Sequence, residues 1–144
     1  MDKDSPNEKR VLVVEDEPGI AVVCRRILNA EGFQVDIAVN GKAALDMWRE
    51  KSYDLCLTDI RTPEMNGMEL YQHLEREFPE AVNKVIFATG DVLNSAIKAF
   101  LAKTTRPFLA KPFTPDALRN IVRAVLANAD QSHGGLANAS NRKG

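Results

Sequence analysis

Residues 11–17 read Val-Leu-Val-Val-Glu-Asp-Glu, so that four apolar residues are followed directly by three acids. A short run that is apolar at every position is typical of a strand buried on both faces of a parallel sheet. Pro18 comes next, and proline is favourable at the first position of a helix. The stretch predicts a buried strand, a loop that carries carboxylates and the beginning of a helix.

The same order of strand, loop and helix recurs along the chain. Further strands are predicted at residues 35–39, 55–57, 85–88 and 108–109. A helix is predicted after each strand, with the fourth from about Val92 to Lys103 and the last from Pro115. Such alternation implies right-handed crossovers and a parallel sheet with helices on both faces. The predicted fold class is α/β, a doubly wound five-stranded parallel sheet.

Apolar periodicity is confined to the middle of the chain. We predict one domain over residues 9–128, an N-terminal tail over 1–8 and a C-terminal tail over 129–144 without an effector domain. The tails are rich in polar and small residues and show no apolar periodicity. No helix-turn-helix segment is recognised after residue 128, so direct binding to DNA as a transcription factor is not expected.

Composition restricts the classes of function that this chain can serve. Of its 144 residues, 44% are hydrophobic, and 19 basic residues balance 20 acidic ones to a formal net charge of -1. That balance gives no basic surface for nucleic acid, and no apolar run reaches the ~20 residues that cross a bilayer. Cys24 and Cys56 lie in apolar segments and are expected to be buried free thiols. These features predict a cytoplasmic protein without membrane or nucleic-acid partners.

Polar side chains follow four of the five predicted strands. Glu15 and Asp16 follow the first, Asp59 the third, Thr89 the fourth and Lys111 the fifth. Because ligands of open parallel sheets bind at the carboxyl ends of the strands, these side chains are expected to share one crevice. Carboxylate oxygens suit Mg²⁺, and an ammonium can neutralise a phosphoryl group. We predict a phosphoryl-transfer site whose nucleophile is the carboxylate of Asp59.

Each of these residues also has a structural interpretation. Acids after a strand can stabilise the positive end of a helix dipole, and Thr89 can cap a helix. Lys111 can be a solvated surface lysine, and Phe108, in the last strand, can be an ordinary core aromatic. Only the combination of residue types at successive strand ends favours a common site.

Enzymes that use similar residues are less consistent with this sequence. Hydrolases with an aspartyl-phosphate intermediate usually carry a second aspartate two residues after the nucleophile, where this chain has Arg61. The glycine-rich loop of a nucleotide hydrolase is absent. The acids at 15–17 would repel the phosphate of a flavin cofactor.

Four motifs in order resemble the receiver domain of two-component response regulators, over roughly residues 9–128. They are Val-Val-Glu-Asp-Glu at 13–17, Asp59 with Pro-Glu-Met-Asn-Gly at 63–67, Ala-Thr-Gly at 88–90 and Phe-Leu-Ala-Lys-Pro-Phe at 108–113. The resemblance implies a flavodoxin-like fold with strand order 2-1-3-4-5. It also implies a signalling domain that catalyses only its own phosphorylation and dephosphorylation.

The resemblance also implies roles for the acidic residues. Asp59 would accept a phosphoryl group from the phosphohistidine of a histidine kinase or of a phosphotransfer protein. Mg²⁺ would be bound directly by Asp16 and Asp59 with the backbone carbonyl of Arg61, while Glu15 would act through water.

In the same family, a threonine and an aromatic residue act as a switch pair, here Thr89 and Phe108. Lys111 would contact the phosphoryl group, and the bond from Lys111 to Pro112 is expected to be cis. Phosphorylation would change the surface of the fourth helix, fifth strand and fifth helix, where an unknown downstream protein or a second copy would bind. The alternatives are a pseudo-receiver that binds partners without phosphorylation and a receiver that belongs to a hybrid kinase.

Two further residues lie at matching positions beside this site. Arg61 lies two residues after Asp59, and Asp91 lies two residues after Thr89. We hypothesise an ion pair between Arg61 and Asp91 that covers the mouth of the site and slows hydrolysis of the phosphorylated aspartate.

Overall fold

The computed structural model describes residues 8–134, which form five strands, five α-helices and one short 3-10 helix at Pro79–Lys84. The strands are β1 (Arg10–Val14), β2 (Gln34–Ala38), β3 (Leu55–Asp59), β4 (Val85–Thr89) and β5 (Phe108–Ala110). The helices are α1 (Pro18–Ala30), α2 (Gly41–Glu50), α3 (Gly67–Glu77), α4 (Ser95–Thr104) and α5 (Pro115–Gly134). In this part of the chain, no helix is both long and apolar enough to span a membrane.

The strands form one parallel sheet in the order β2-β1-β3-β4-β5, which confirms the predicted topology. Val14 at the end of β1 lies beside Ala38 and Thr58 of the neighbouring strands. Asp59 lies beside Ala88, and the next residue of β4, Thr89, lies beside Ala110. The register therefore brings the carboxyl ends of the strands to one edge of the sheet.

Apolar side chains fill both faces of the sheet. Along β1, Leu12 and Val14 face the core under α2, α3 and α4, whereas Val11 and Val13 face the core under α1 and α5. All four are at most 1% exposed, as the uninterrupted apolar run predicts. Strand β2 at the sheet edge is only partly buried, in agreement with its alternating sequence.

The two cysteines lie in different cores. Cys24 belongs to the core under α1 and α5, and Cys56 to the core on the opposite face. Burial raises the pKa of Cys24 to about 11 and that of Cys56 to about 12. Both are therefore free, protonated thiols, as predicted.

Helix ends follow local signals in the sequence. Pro18 occupies the first position of α1, and Gly32 beyond its end has a φ of 96°, which glycine adopts readily. The side chain of Asn40 accepts a hydrogen bond from the backbone of Ala43 (2.8 Å) at the beginning of α2. The hydroxyl oxygen of Thr114 likewise accepts a hydrogen bond from the backbone N–H of Ala117 (3.0 Å) at the beginning of α5.

Two helix boundaries differ from the prediction, and one short helix was not predicted. Helix α4 begins at Ser95 rather than near Val92, because the Asn94 side chain caps it by accepting from the backbone of Ile97 (3.0 Å). Helix α5 continues to Gly134, six residues past the boundary predicted at 128. The 3-10 helix was not predicted. The remainder of the predicted tails, residues 1–7 and 135–144, lies outside the described residues.

An aromatic pair lies near the amino end of β3, at the opposite end of the strand from Asp59. Trp48 of α2 is 5% exposed, and its ring centroid is 5.3 Å from that of Tyr53, which precedes β3. The hydroxyl of Tyr53 donates a 2.6 Å hydrogen bond to Asp36 of β2. The pair thus joins α2 to the middle of the edge strand β2.

Candidate functional site

Three carboxylates meet at the carboxyl end of the sheet. Ligand oxygens of Glu15, Asp16 and Asp59 all lie within 4.8 Å of one another. Glu15 and Asp59 are 5% and 8% exposed, and Asp16 faces solvent. Burial raises the pKa of Glu15, and the nearby charge of Asp59 acts in the same direction against the hydrogen bond from Lys111. A hard divalent cation would relieve this repulsion, so the oxygen-only donor set fits Mg²⁺.

Lys111 connects two of these carboxylates. Its Nζ atom lies 3.0 Å from Oε1 of Glu15 and 2.9 Å from Oδ2 of Asp59. Burial lowers the pKa of Lys111, but the hydrogen bonds to Asp59 and Glu15 outweigh this effect and the net pKa is raised. The ammonium therefore stays charged inside the site, and the interpretation as a solvated surface lysine is wrong.

The backbone around Lys111 fixes its place. Its N–H donates to the carbonyl of Thr89 at 2.8 Å, which joins the end of β5 to the end of β4. The bond to Pro112 is cis, as expected.

The proposed switch residues lie on β4 and β5. Thr89 is 1% exposed, and its Oγ1 accepts from the backbone N–H of Asp91 at 2.9 Å. It does not cap α4, because that place belongs to Asn94. Phe108 is 44% exposed on β5, so it is not an ordinary core aromatic. In the sheet, Phe108 lies beside Phe87 and Thr89 lies beside Ala110, so the two proposed switch residues are on neighbouring strands but are not paired with each other.

The predicted ion pair across the mouth is present. The guanidinium of Arg61 donates through Nε to Oδ2 of Asp91 at 3.0 Å, and its Nη2 contacts the same oxygen. Both side chains are exposed, at 61% and 41%. The backbone N–H of Arg61 also donates to Oδ1 of Asp59 at 3.3 Å. The loop after β3 is thus tied both to the central carboxylate and to the loop after β4.

Two glycines make close backbone contacts with the segment that follows β3, and no role was predicted for either from the sequence. Gly67 donates to the carbonyl of Ile60 at 2.8 Å, and a Cβ atom on Gly67 would lie 2.6 Å from the carbonyl oxygen of Asp59. Gly41 donates to the carbonyl of Met65 at 3.0 Å. Both follow an asparagine that caps a helix. Their close backbone contacts depend on the tertiary fold.

An apolar groove opens beside Lys111, between the beginning of α1 and the loop before α5. Its volume is about 800 Å³. Apolar side chains from both elements line it, namely Pro18, Ile20, Val23, Pro112 and Phe113. Val23 is 50% exposed, which is high for a large apolar side chain. A partner that covered this groove would lie next to the carboxylate site.

Comparison with known proteins agrees with this arrangement. The family model of the response regulator receiver domain matches residues 11–123. The chain is 32% identical over 120 residues to sporulation initiation phosphotransferase F of Bacillus subtilis, covering 83% of this chain and 94% of that protein. It is 31% identical over 134 residues to the aerobic respiration control sensor protein ArcB of Escherichia coli, covering 92% of this chain but 17% of ArcB.

Other relatives extend the comparison to transcriptional regulators and to solved structures. The transcriptional regulatory protein ResD of Bacillus subtilis is 33% identical over 129 residues, and the chain spans 52% of its length. A CheY-like response regulator receiver domain protein from Methanospirillum hungatei superposes with a TM-score of 0.80 at 27% identity, covering 88% of this chain and 99% of that one. The chain therefore belongs to the response regulator receiver domain family of two-component signalling and has its flavodoxin-like fold.

Proposed function

We propose that this chain is a phosphoacceptor in which Asp59 takes a phosphoryl group from the phosphohistidine of a histidine kinase or phosphotransfer protein. The observation that carries this proposal is the convergence of Lys111 on Asp59 and Glu15, with a carboxylate oxygen of Asp16 within the same cluster. A purely structural salt bridge would not need a third carboxylate beside the two that Lys111 contacts. The set also argues against a pseudo-receiver, which has no use for a complete site.

The residues divide the chemistry between them. A carboxylate oxygen of Asp59 attacks phosphorus, the bond from phosphorus to the histidine nitrogen breaks, and an acyl phosphate forms. Asp16, Asp59 and the backbone carbonyl of Arg61 would hold Mg²⁺, with Glu15 acting through water. When bound, the ion supplies positive charge to the phosphoryl oxygens. The ammonium of Lys111 neutralises further charge on the same group.

Phosphorylation would then change the populations of two conformations. The hydroxyl of Thr89 would turn toward the phosphoryl oxygens, and Phe108 would move into the space left behind. Helix α4 buries only Ile97 and Leu101 among its described residues, so it can shift at modest cost. The surface formed by α4, β5 and α5 would present this change to a downstream protein or to a second copy of the chain.

Intact mass spectrometry tests the assignment. After incubation with Mg²⁺ and acetyl phosphate, the protein is expected to gain the mass of one phosphoryl group. An excess of EDTA should abolish the gain, because the carboxylates would then repel the donor. If the mass stays unchanged with Mg²⁺, and a phosphohistidine donor also fails, the proposal is wrong and the pseudo-receiver alternative takes its place.

The groove beside Lys111 would receive the phosphodonor protein. It exposes apolar side chains from α1 next to the site, and apolar contact surfaces of this kind supply binding energy in protein interfaces. A small donor such as acetyl phosphate does not need such a surface. Protein and small donors should therefore respond differently to a change in the groove.

We predict that Val23→Asp slows phosphotransfer from a phosphohistidine-bearing protein by about tenfold or more, since one charge in an apolar contact costs over about 1 kcal/mol. The rate with acetyl phosphate should stay unchanged. Val39→Asp is the matched control, because Val39 is similarly exposed (58%) but does not line the groove. Equal transfer rates for the two variants would place the docking surface elsewhere.

The ion pair of Arg61 and Asp91 is proposed to limit access of water to the phosphorylated aspartate. We predict that Arg61→Ala shortens the half-life of the phosphorylated protein about fivefold, equivalent to about 1 kcal/mol. Arg49→Ala provides the control, because it breaks an exposed pair with Glu77 on α2 and α3, away from the site. Half-lives measured by loss of the phosphoryl mass should differ between the two variants; identical values would refute the proposed shielding.

The cytoplasm is the proposed location. Both cysteines are buried free thiols on opposite faces of the sheet, so they cannot form a disulfide with each other in this fold. A reducing compartment is consistent with thiols of this kind.

A further inference from the structure

The loop between β3 and α3 is docked at its far end on the beginning of α2. The carbonyl oxygen of Met65 accepts hydrogen bonds from the backbone N–H of Gly41 (3.0 Å) and from Oγ1 of Thr62 (2.8 Å). The N–H of Met65 in turn donates to the carbonyl of Pro63 at 2.7 Å. Glu64 between them has a φ of 66°, a conformation that non-glycine residues rarely adopt. The loop therefore holds a specific shape around the Met65 carbonyl.

Only a glycine at position 41 permits this docking. A Cβ atom there would lie 2.4 Å from the carbonyl oxygen of Met65 and 2.9 Å from its Cγ. The Cγ can move by a rotamer change, but the oxygen belongs to a backbone that Thr62 and Pro63 already hold. A side chain on Gly41 would therefore push the loop away from α2.

The same loop carries the residues that complete the phosphoacceptor site. Arg61 donates its N–H to Asp59 and pairs with Asp91, and its carbonyl is the proposed third protein ligand of Mg²⁺. At the base of the loop, the backbone N–H of Gly67 donates a hydrogen bond to the carbonyl oxygen of Ile60 and closes the loop. Because the loop is closed at its base, a displacement at Met65 cannot be absorbed there and reaches Arg61.

We propose that Gly41, outside the acidic cluster, is a positioning residue for the Mg²⁺ and phosphoryl site. Its missing side chain allows α2 to hold the loop after Asp59 in the shape that presents the Arg61 carbonyl. The inference rests on the proposed function of the site. It assigns a role in metal binding to the beginning of α2, which contributes no ligand of its own.

Calorimetric titration of Mg²⁺ into Gly41→Ala, without a phosphodonor, tests this role. The dissociation constant is expected to rise about tenfold, as for other residues that orient metal ligands. Gly19→Ala is the matched control in α1, since a Cβ atom there meets nothing within 4 Å, and its Mg²⁺ affinity should equal that of the wild type. Leu45→Ala removes a buried side chain of α2 and should lower the melting temperature without changing Mg²⁺ affinity.

A second variant keeps the test decisive if Gly41→Ala fails to fold. Thr62→Val removes one of the two hydrogen bonds to the Met65 carbonyl without adding bulk, and it should weaken Mg²⁺ binding about threefold. A folded Gly41→Ala with wild-type affinity would overturn the inference and leave the proposed function intact, as would an unchanged Thr62→Val if Gly41→Ala does not fold. A wild-type protein that neither binds Mg²⁺ nor gains a phosphoryl group would instead overturn the proposed function, and the inference with it.

Discussion

Asp59→Asn is expected to gain no phosphoryl group from acetyl phosphate under conditions that phosphorylate the wild type. An amide cannot form the acyl phosphate, because it lacks the nucleophilic carboxylate oxygen. The variant should still fold, since Asn has nearly the same shape and Lys111 keeps its 3.0 Å contact with Glu15. Its free energy of unfolding should stay within about 1 kcal/mol of the wild-type value. Intact mass and thermal unfolding measure the two quantities separately.

Asp46→Asn is a suitable control for this experiment. Asp46 lies on α2 with a side chain that is 57% exposed, and it pairs only with Arg49 among its described contacts. This variant should be phosphorylated like the wild type. If Asp59→Asn still gained a phosphoryl group, the acceptor would be another residue, and Asp16 would be the first to examine.

Lys111→Met is expected to separate metal binding from phosphoryl transfer. Methionine keeps much of the apolar stem but removes the charge that contacts both Glu15 and Asp59. Loss of a positioned cation should slow phosphorylation by about 10²- to 10³-fold. Mg²⁺ binding should become about tenfold tighter, because the carboxylates lose their internal counter-ion and their repulsion favours an added cation.

The opposite signs of these two effects make the prediction specific. Phosphorylation rates with acetyl phosphate at saturating Mg²⁺ measure the first effect, and calorimetric titration measures the second. Lys98→Met on the exposed side of α4 should change neither. Weaker Mg²⁺ binding in Lys111→Met would show that the ammonium organises the carboxylates rather than competing with a cation for them.

Much of the fold and the acidic part of the site could be predicted because both depend on short-range patterns. The run at 11–14 is apolar at every position, and the strand it forms is buried on both faces. Parallel strands bring their carboxyl ends together, so residues as far apart as Glu15 and Lys111 were expected to meet, and they do. The ion pair of Arg61 and Asp91 followed from the same reasoning, since both lie two residues beyond a residue at a strand end.

Features that depend on the packing of one loop against another could not be predicted in this way. The contact of Gly41 with Met65 joins the beginning of α2 to the loop after β3, and no sequence periodicity relates these two segments. Similarly, Val92 and Leu93 extend the apolar pattern of α4, but Leu93 is 83% exposed and the helix begins only after the Asn94 cap. Local capping decided that boundary against the hydrophobic pattern.

The buried pair of Trp48 and Tyr53 makes the protein its own reporter of unfolding. Trp48 is the chain's single tryptophan, and its partner Tyr53 precedes β3, at the opposite end of that strand from Asp59. Its emission will shift to the red when the domain unfolds and water reaches the indole. We expect a phosphoryl group on Asp59, at the other end of β3, to leave the surroundings of the indole in place. Denaturant titrations followed by intrinsic fluorescence can therefore compare phosphorylated and unphosphorylated protein without a label.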